Sequence, residues 1–165
     1  PSSSSVFFDK NDDVLAVFSK IRTNKMKFLS RGDSSGTNVA ELNIWSKSNV
    51  DPKEMSNEWY LETGQGMGPT LNIAIGSNAI TLTDRATWIR FANKSDHTIL
   101  FENDPHLNNQ YGIIKIDPNH CKNINHAAAD IFYEWILSSE GQNYIAEYSY
   151  NGEFLFKPGS IEYTE

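Results

Sequence analysis

Val14, Leu15, Phe18 and Ile21 recur at helical spacing in DVLAVFSKI, and Asp12 or Asp13 stands where an N-cap belongs. The spacing predicts a helix over about 12–23. MKFLS is short and apolar and reads as a buried strand. SSGTNVAELNIWSKSN follows as a helix with Val39, Leu42 and Trp45 turned inward. DPK at 51–53 marks a turn, EWYLET a strand, and PTLNIAIGSN another helix, with Pro69 in a first turn that needs no N–H from it. AITLT reads as a strand and DRATWIRFANK as a helix closed by Asn93. HTILFEN and YGIIKID read as two more strands. In INHAAADIFYEWILSS, Ile124, Ala128, Ile131, Phe132, Trp135 and Ile136 share one face, the strongest amphipathic helix in the chain. SEGQNYIAEYSY starts a last helix, with Ser139 and Gln142 at capping-box spacing. NGEFLFKPG then reads as a turn, a short apolar segment and a stop.

Strands that alternate with helices indicate an α/β fold, a mixed or parallel sheet flanked by helices. The length of 165 residues suits a single α/β domain, and 39% hydrophobic residues supply a core. The net charge of −7, with no basic cluster, argues against a nucleic-acid partner. A lone cysteine, Cys121, excludes an intrachain disulfide. No apolar run approaches the ~20 residues of a membrane span. The opening PSSSSVFF has neither the basic nor the apolar region of a signal peptide.

FLSRGDSSGTNVAELNIW carries the first candidate chemistry. GDSSG shares letters with the nucleophile motif of trypsin-like proteases, but those are β-barrels with His and Asp upstream of the serine. Here His97, His106, His120 and His126 all lie downstream, in an α/β setting. RGD is too short to specify adhesion, and it sits between a buried strand and a helix. Anion binding fits the context better. A strand delivers Gly32, Ser34, Ser35, Gly36 and Thr37 to a helix start, where free N–H groups and the helix dipole favour negative charge. Arg31 adds a planar fork suited to oxyanions. The plainer alternative is that Ser35 or Thr37 caps its own helix while Arg31 pairs with Asp33.

GQGMG, 64–68, is a second strand–glycine loop–helix junction, without dinucleotide or Walker spacing. Thr83 and Asp84 begin a third, where Asp84 and Arg85 are expected to pair with each other. Loops from adjacent strands would aim helix N-termini into one crevice beyond the strand ends. The histidines and Cys121 lack zinc spacing, so no metal is expected. At least three of Trp45, Trp59, Trp88 and Trp135 are expected in the core. Glu41, Glu58 and Glu62 read as residues of solvated faces.

SRGDSSGT, WYLETGQGMGPTLNIA, ITLTDRATW, NDPHLNNQYGIIKIDP and ILSSEGQNYIAEYSYNGEFLF occur in this order. The sequence from about Phe28 to Phe156 thereby resembles the tungstate-binding solute receptors of bacterial ABC transporters. The resemblance implies a two-lobed type II periplasmic-binding-protein fold with ligand between the lobes. It implies an oxyanion, tungstate or molybdate, held by neutral donors and one arginine. Arg31 stands at the matching place, Ser35, Gly36 and Thr37 match the donor loop, and Gly66, Met67 and Gly68 match the glycine loop. No catalytic residues, no cofactor and no metal are implied. The partners implied are the oxyanion and a membrane permease, and the location is periplasmic or extracellular.

Family members begin with a first-lobe strand and a Thr/Ser-rich loop that nothing here matches. The chain is therefore expected to be a second lobe, about 1–116, with carboxy-terminal helices, about 117–165, that would pack on an absent first lobe. Self-association through that face is a further expectation. A ligand-sensing domain of a transcription regulator is the alternative binding role. An acyl- or phosphoryl-transfer enzyme using Ser34 or Ser35 is the alternative outside it.

Overall fold

A computed structural model describes residues 1–9, 11–55 and 58–159. The chain divides into two compact units, Pro1–Asn109 and Gln110–Glu165. Residues 160–165 of the expected carboxy-terminal segment lie outside the described residues.

The first unit is built on three parallel strands, β1 (Phe28–Ser30), β2 (Tyr60–Glu62) and β3 (Ile80–Thr81), in the order β2-β1-β3. Phe28, Leu29 and Ser30 pair with Tyr60, Leu61 and Glu62 on one side, and Phe28 and Leu29 with Ile80 and Thr81 on the other. All three residues of β1 are buried, because helices cover both faces of the sheet.

Strand alternation sends Phe28 to one face and Leu29 to the other. On the Phe28 face lie α1 (Val14–Thr23) and α2 (Gly36–Lys47). Val14, Val17, Phe18 and Ile21 of α1 join Phe28, Ile44, Trp45, Trp59 and Tyr60 in the main core. Trp45 is fully buried and its ring meets those of Phe18, Phe28, Trp59 and Tyr60 at centroid distances of 4.4 to 6.2 Å. On the Leu29 face, Ala74 of α3 (Met67–Gly76) and Ala79 form a smaller cluster. Asp13 caps α1 by accepting from the Ala16 N–H.

α4 (Arg85–Arg90) ends at Phe91, which is extended, so it stops short of the expected Asn93. HTILFEN and YGIIKID form no strands. A strand exists only through a partner's ladder, and among the described residues neither segment has one. Apolar alternation alone does not supply that neighbour. Phe101 instead packs against the main core as irregular chain.

The second unit contains α5 (His126–Leu137), α6 (Ser139–Glu147) and a hairpin of β4 (Ser149–Tyr150) and β5 (Glu153–Phe154). Asn151 and Gly152, both at positive φ, form its turn. Ser138, not Ser139, caps α6: its hydroxyl oxygen accepts from the Gly141 N–H at 3.2 Å. Gln142 is spent elsewhere, donating to the Ile136 carbonyl at 2.7 Å and accepting from the Gly159 N–H at 2.9 Å. A Cβ on Gly141 would collide with the Trp135 carbonyl, so the tight α5–α6 corner requires glycine there. The α5 stripe forms, yet no residue of that helix is buried; Ile131 is 71% exposed and Phe132 54%.

Candidate anion-binding site

The carboxyl ends of three parallel strands share one edge of the sheet, so the loops 31–35, 63–66 and 82–84 emerge there together. The chain leaves β1 towards α2 on one face and β2 towards α3 on the other. The strand order reverses at this point, which opens a crevice between two adjacent loops.

The first loop turns through Gly32 at φ +60° and Ser34 at φ +59°. A non-glycine residue in that left-handed region costs roughly 1–2 kcal/mol, so Ser34 needs support. It receives it from Asn38, whose Oδ1 accepts the Ser34 N–H at 3.2 Å. Ser35 is the N-cap of α2, its oxygen accepting from the Asn38 N–H at 3.3 Å. Gly36 and Thr37 are the first two helical residues, and among the described residues their N–H groups have no printed acceptor and no intrahelical one.

Arg31 forks onto the same oxygen of Asp33, with Nε at 3.1 Å, while the other Asp33 oxygen accepts the Ser35 N–H. The Ser35 hydroxyl leads the effects that hold the Asp33 carboxyl below its ordinary range; burial opposes it, and the Ser35 N–H and Arg31 assist. The plainer alternative from the sequence, a cap and a surface pair, is thus the geometry of the ligand-free chain. Arg31 sits beside the crevice with its charge held by a neighbour two residues away.

The second loop contributes Gly66 as N-cap of α3, then Met67 and Gly68. Pro69 has no N–H, so Met67 and Gly68 carry the donors of that first turn. The Met67 side chain is buried, which leaves only its backbone facing the crevice side. Added Cβ atoms at Gly36, Gly66 and Gly68 would meet nothing within 4 Å, so space lies open in front of both helix starts. Thr63 staples the loops together: its N–H donates to the Ser30 carbonyl at 2.9 Å and its hydroxyl lies 2.8 Å from that of Thr70.

The third junction differs from expectation. Asp84 accepts from the N–H and hydroxyl of Thr87, both at 2.7 Å, while Arg85 reaches Glu102. The carboxylate is nearer to the helix start it caps than the Arg85 charge is useful to it, so the expected pair resolves into two contacts. A separate cavity of about 440 Å³, lined by Ala40, Asn43, Lys47 and His106 among others, includes none of these loop residues.

The PBP superfamily domain matches residues 3–140. The chain belongs to the PBP superfamily. It is 38% identical over 153 residues to the tungstate-binding protein TupA of Peptoclostridium acidaminophilum, covering 92% of this chain and 52% of that protein. It is 38% identical over 140 residues to TupA of Campylobacter jejuni, covering 82% and 51%. The solved tungstate-binding protein TupA of Desulfovibrio alaskensis G20 superposes with a TM-score of 0.77 at 36% identity, over 92% of this chain and 62% of that one. The chain thus spans about half the length of the curated relatives it matches.

Beneath the loop of this PBP-superfamily chain lies a polar cluster that the sequence reading placed wrongly. The inward face of α2 is Asn38, Glu41, Ile44 and Trp45, whereas Val39 is half exposed and Leu42 intermediate. Glu41 is 2% exposed, not solvated. Its Oε2 accepts from Ser30 at 2.6 Å, and its Oε1 from Trp45 Nε1 at 3.1 Å and Tyr60 at 2.8 Å. Burial pushes the Glu41 carboxyl up; the bonds from Ser30, Tyr60 and Trp45 pull the other way without cancelling it. These three donors rotate the helix so that the carboxylate faces them, because a buried charge without partners is very costly. The recoverable signal was Ser30, two residues after Phe28 on the same strand face and facing α2. Glu58 and Glu62 are surface residues as expected, near Lys25 and Lys53. Only Trp45 and Trp59 of the four tryptophans are in the core. Trp88 is half-buried beneath Lys94 and Trp135 is 36% exposed, since amphipathic spacing reports a face without reporting what covers it.

Gly32 tests the tightness of this arrangement. A Cβ there would lie 2.8 Å from Glu62 Cβ, on a backbone already left-handed. Gly32→Ala is expected to destabilise by at least about 1–2 kcal/mol from the backbone alone. Gly64→Ala, with φ +62° and open space, should cost less. Thermal unfolding of the two variants checks this; equal losses would show that Glu62 does not confine Gly32.

Proposed function

We propose that this chain is an oxyanion-binding lobe of a solute-binding protein serving an ABC importer, with tungstate or molybdate as ligand. The carrying observation is the pair of helix starts at Gly36–Thr37 and Met67–Gly68, with open space before them and Arg31 alongside. Neutral N–H donors satisfy a tetrahedral dianion without the cost of burying many cations, and Arg31 supplies one full charge. Ser35, Gly36, Thr37, Gly66, Met67 and Gly68 form the rest of the proposed set.

The net charge of −7 does not oppose this, because charges beyond about 8–10 Å are screened at physiological salt. The work is capture and delivery, not catalysis: Ser35 is engaged as a helix cap and Ser34 is held through its backbone. In this reading a closed, ligand-bound form docks on a membrane permease outside the cytoplasm, and closure needs ligand contacts from a second lobe. The names of the relatives favour transport over a regulator's sensing domain.

A thermal-shift panel with tungstate, molybdate, sulfate, phosphate and nitrate tests the proposal. At ligand a hundredfold above its dissociation constant, stabilisation of about 2.7 kcal/mol is expected, a rise of several degrees. A shift confined to tungstate or molybdate supports the reading. A larger shift with sulfate or phosphate, or none with any anion in the full-length protein, overturns it.

A further inference from the structure

We propose that Glu41 is a positioning residue for the oxyanion site, acting through Ser30 and Asn38 to hold the loop that carries Gly32 and Ser34. The inference rests on the proposed function, since it concerns the same loop.

The hydrogen-bond directions leave little freedom. Ser30 Oγ accepts from Asn38 Nδ2 at 3.0 Å and from the Gly32 N–H at 3.2 Å. Both of its lone pairs are then occupied, so its proton points to Glu41 Oε2, 2.6 Å away. Asn38 has its amide orientation fixed by the same logic: Nδ2 donates to Ser30, so Oδ1 is the group that accepts from the Ser34 N–H. Every bond in this chain of donors runs towards the carboxylate. Two loop N–H groups, on either side of Asp33, are tied to Glu41 through one serine and one asparagine.

These ties matter because Gly32 and Ser34 are the two left-handed residues of the loop. Ser34 lacks the freedom of glycine and relaxes out of that region once its N–H is released. The next residues are Ser35, which caps α2, and Gly36 and Thr37, which face the crevice. A change of backbone at Ser34 therefore redirects the donors offered to the anion. On the far side of Glu41, Trp45 and Tyr60 belong to the core and have no bond to the loop. The relay is thus divided at the carboxylate: one half serves the site, the other half serves packing.

That division gives the experiment. Tungstate affinity of the full-length protein would be measured by titration calorimetry for wild type, Ser30→Ala, Glu41→Met and Tyr60→Phe. Backbone amide exchange at Gly32 and Ser34 would be followed without ligand. Ser30→Ala and Glu41→Met should each weaken tungstate tenfold or more and speed exchange at both amides. Their double variant should bind no worse than the weaker single one. Tyr60→Phe, which removes a donor from the same carboxylate, should lower Tm yet leave affinity within about twofold and exchange at Gly32 and Ser34 unchanged. Should Glu41→Met fail to fold, Ser30→Ala decides alone. Wild-type affinity in Ser30→Ala, or an equal loss in Tyr60→Phe, overturns the proposal. If wild type itself binds no tungstate, the functional reading falls, and unchanged exchange in Ser30→Ala would separately sink the role of the relay.

Discussion

Trp45→Ala is expected to unfold the first unit or lower its Tm by about 15–30 °C. The indole is fully buried and packs on four aromatic rings drawn from α1, β1, β2 and the segment before β2. Truncating a large buried aromatic costs roughly 3–5 kcal/mol through lost transfer energy and the cavity left behind. Trp45 also donates to Glu41, so the truncation leaves a buried carboxylate one donor short, which adds about 1–3 kcal/mol. Domains of this size are stable by only about 5–15 kcal/mol, and each kcal/mol is worth about 4–8 °C. Trp135→Ala is the matched control: Trp135 is 36% exposed, and its removal should change stability far less. Differential scanning calorimetry of both variants decides. Similar losses would mean that Trp45 is not the centre of the core.

Arg31→Ala should nearly abolish tungstate binding while leaving the fold intact. In the ligand-free chain Arg31 is held by Asp33, and the guanidinium is only partly exposed, so it reaches an incoming anion from a fixed position. Removing one partner of a close, desolvated charge pair costs about 2–5 kcal/mol, equivalent to a loss of roughly 30- to 4,000-fold in affinity. Stability should change little, because the surviving contact is a short-range pair with Asp33 at the rim. Arg31→Lys keeps the charge and loses the planar fork, so its affinity should fall between the two. Calorimetric titration with sodium tungstate reads all three proteins. Wild-type affinity in Arg31→Ala would remove Arg31 from the site and leave the helix starts as the whole donor set.

The sequence by itself determined the alternation of strands and helices in the first unit, the amphipathic helices, and the two glycine loops. These depend on local spacing and on residue types that act within a few positions: Asp13 and Ser35 as caps, and Gly32 and Gly64 at turns that need positive φ. It also carried the family, because long ordered motifs such as WYLETGQGMGPTLNIA hold more information than any single spacing.

Tertiary structure alone decided four matters. It rotated α2 so that Glu41 and Asn38 face inward, because Ser30, Tyr60 and Trp45 are separated from them in sequence and only folding brings their donors together. It left HTILFEN and YGIIKID unpaired, since a ladder depends on a neighbour that local alternation does not specify. It moved the cap of α6 from Ser139 to Ser138, where the α5–α6 corner places a hydroxyl against the Gly141 N–H. And it set Arg31 on Asp33, a choice between partners fixed by the left-handed turn at Gly32 rather than by charge alone. In each case the deciding interaction joins groups whose approach depends on the path of the chain in space, which composition and periodicity do not encode.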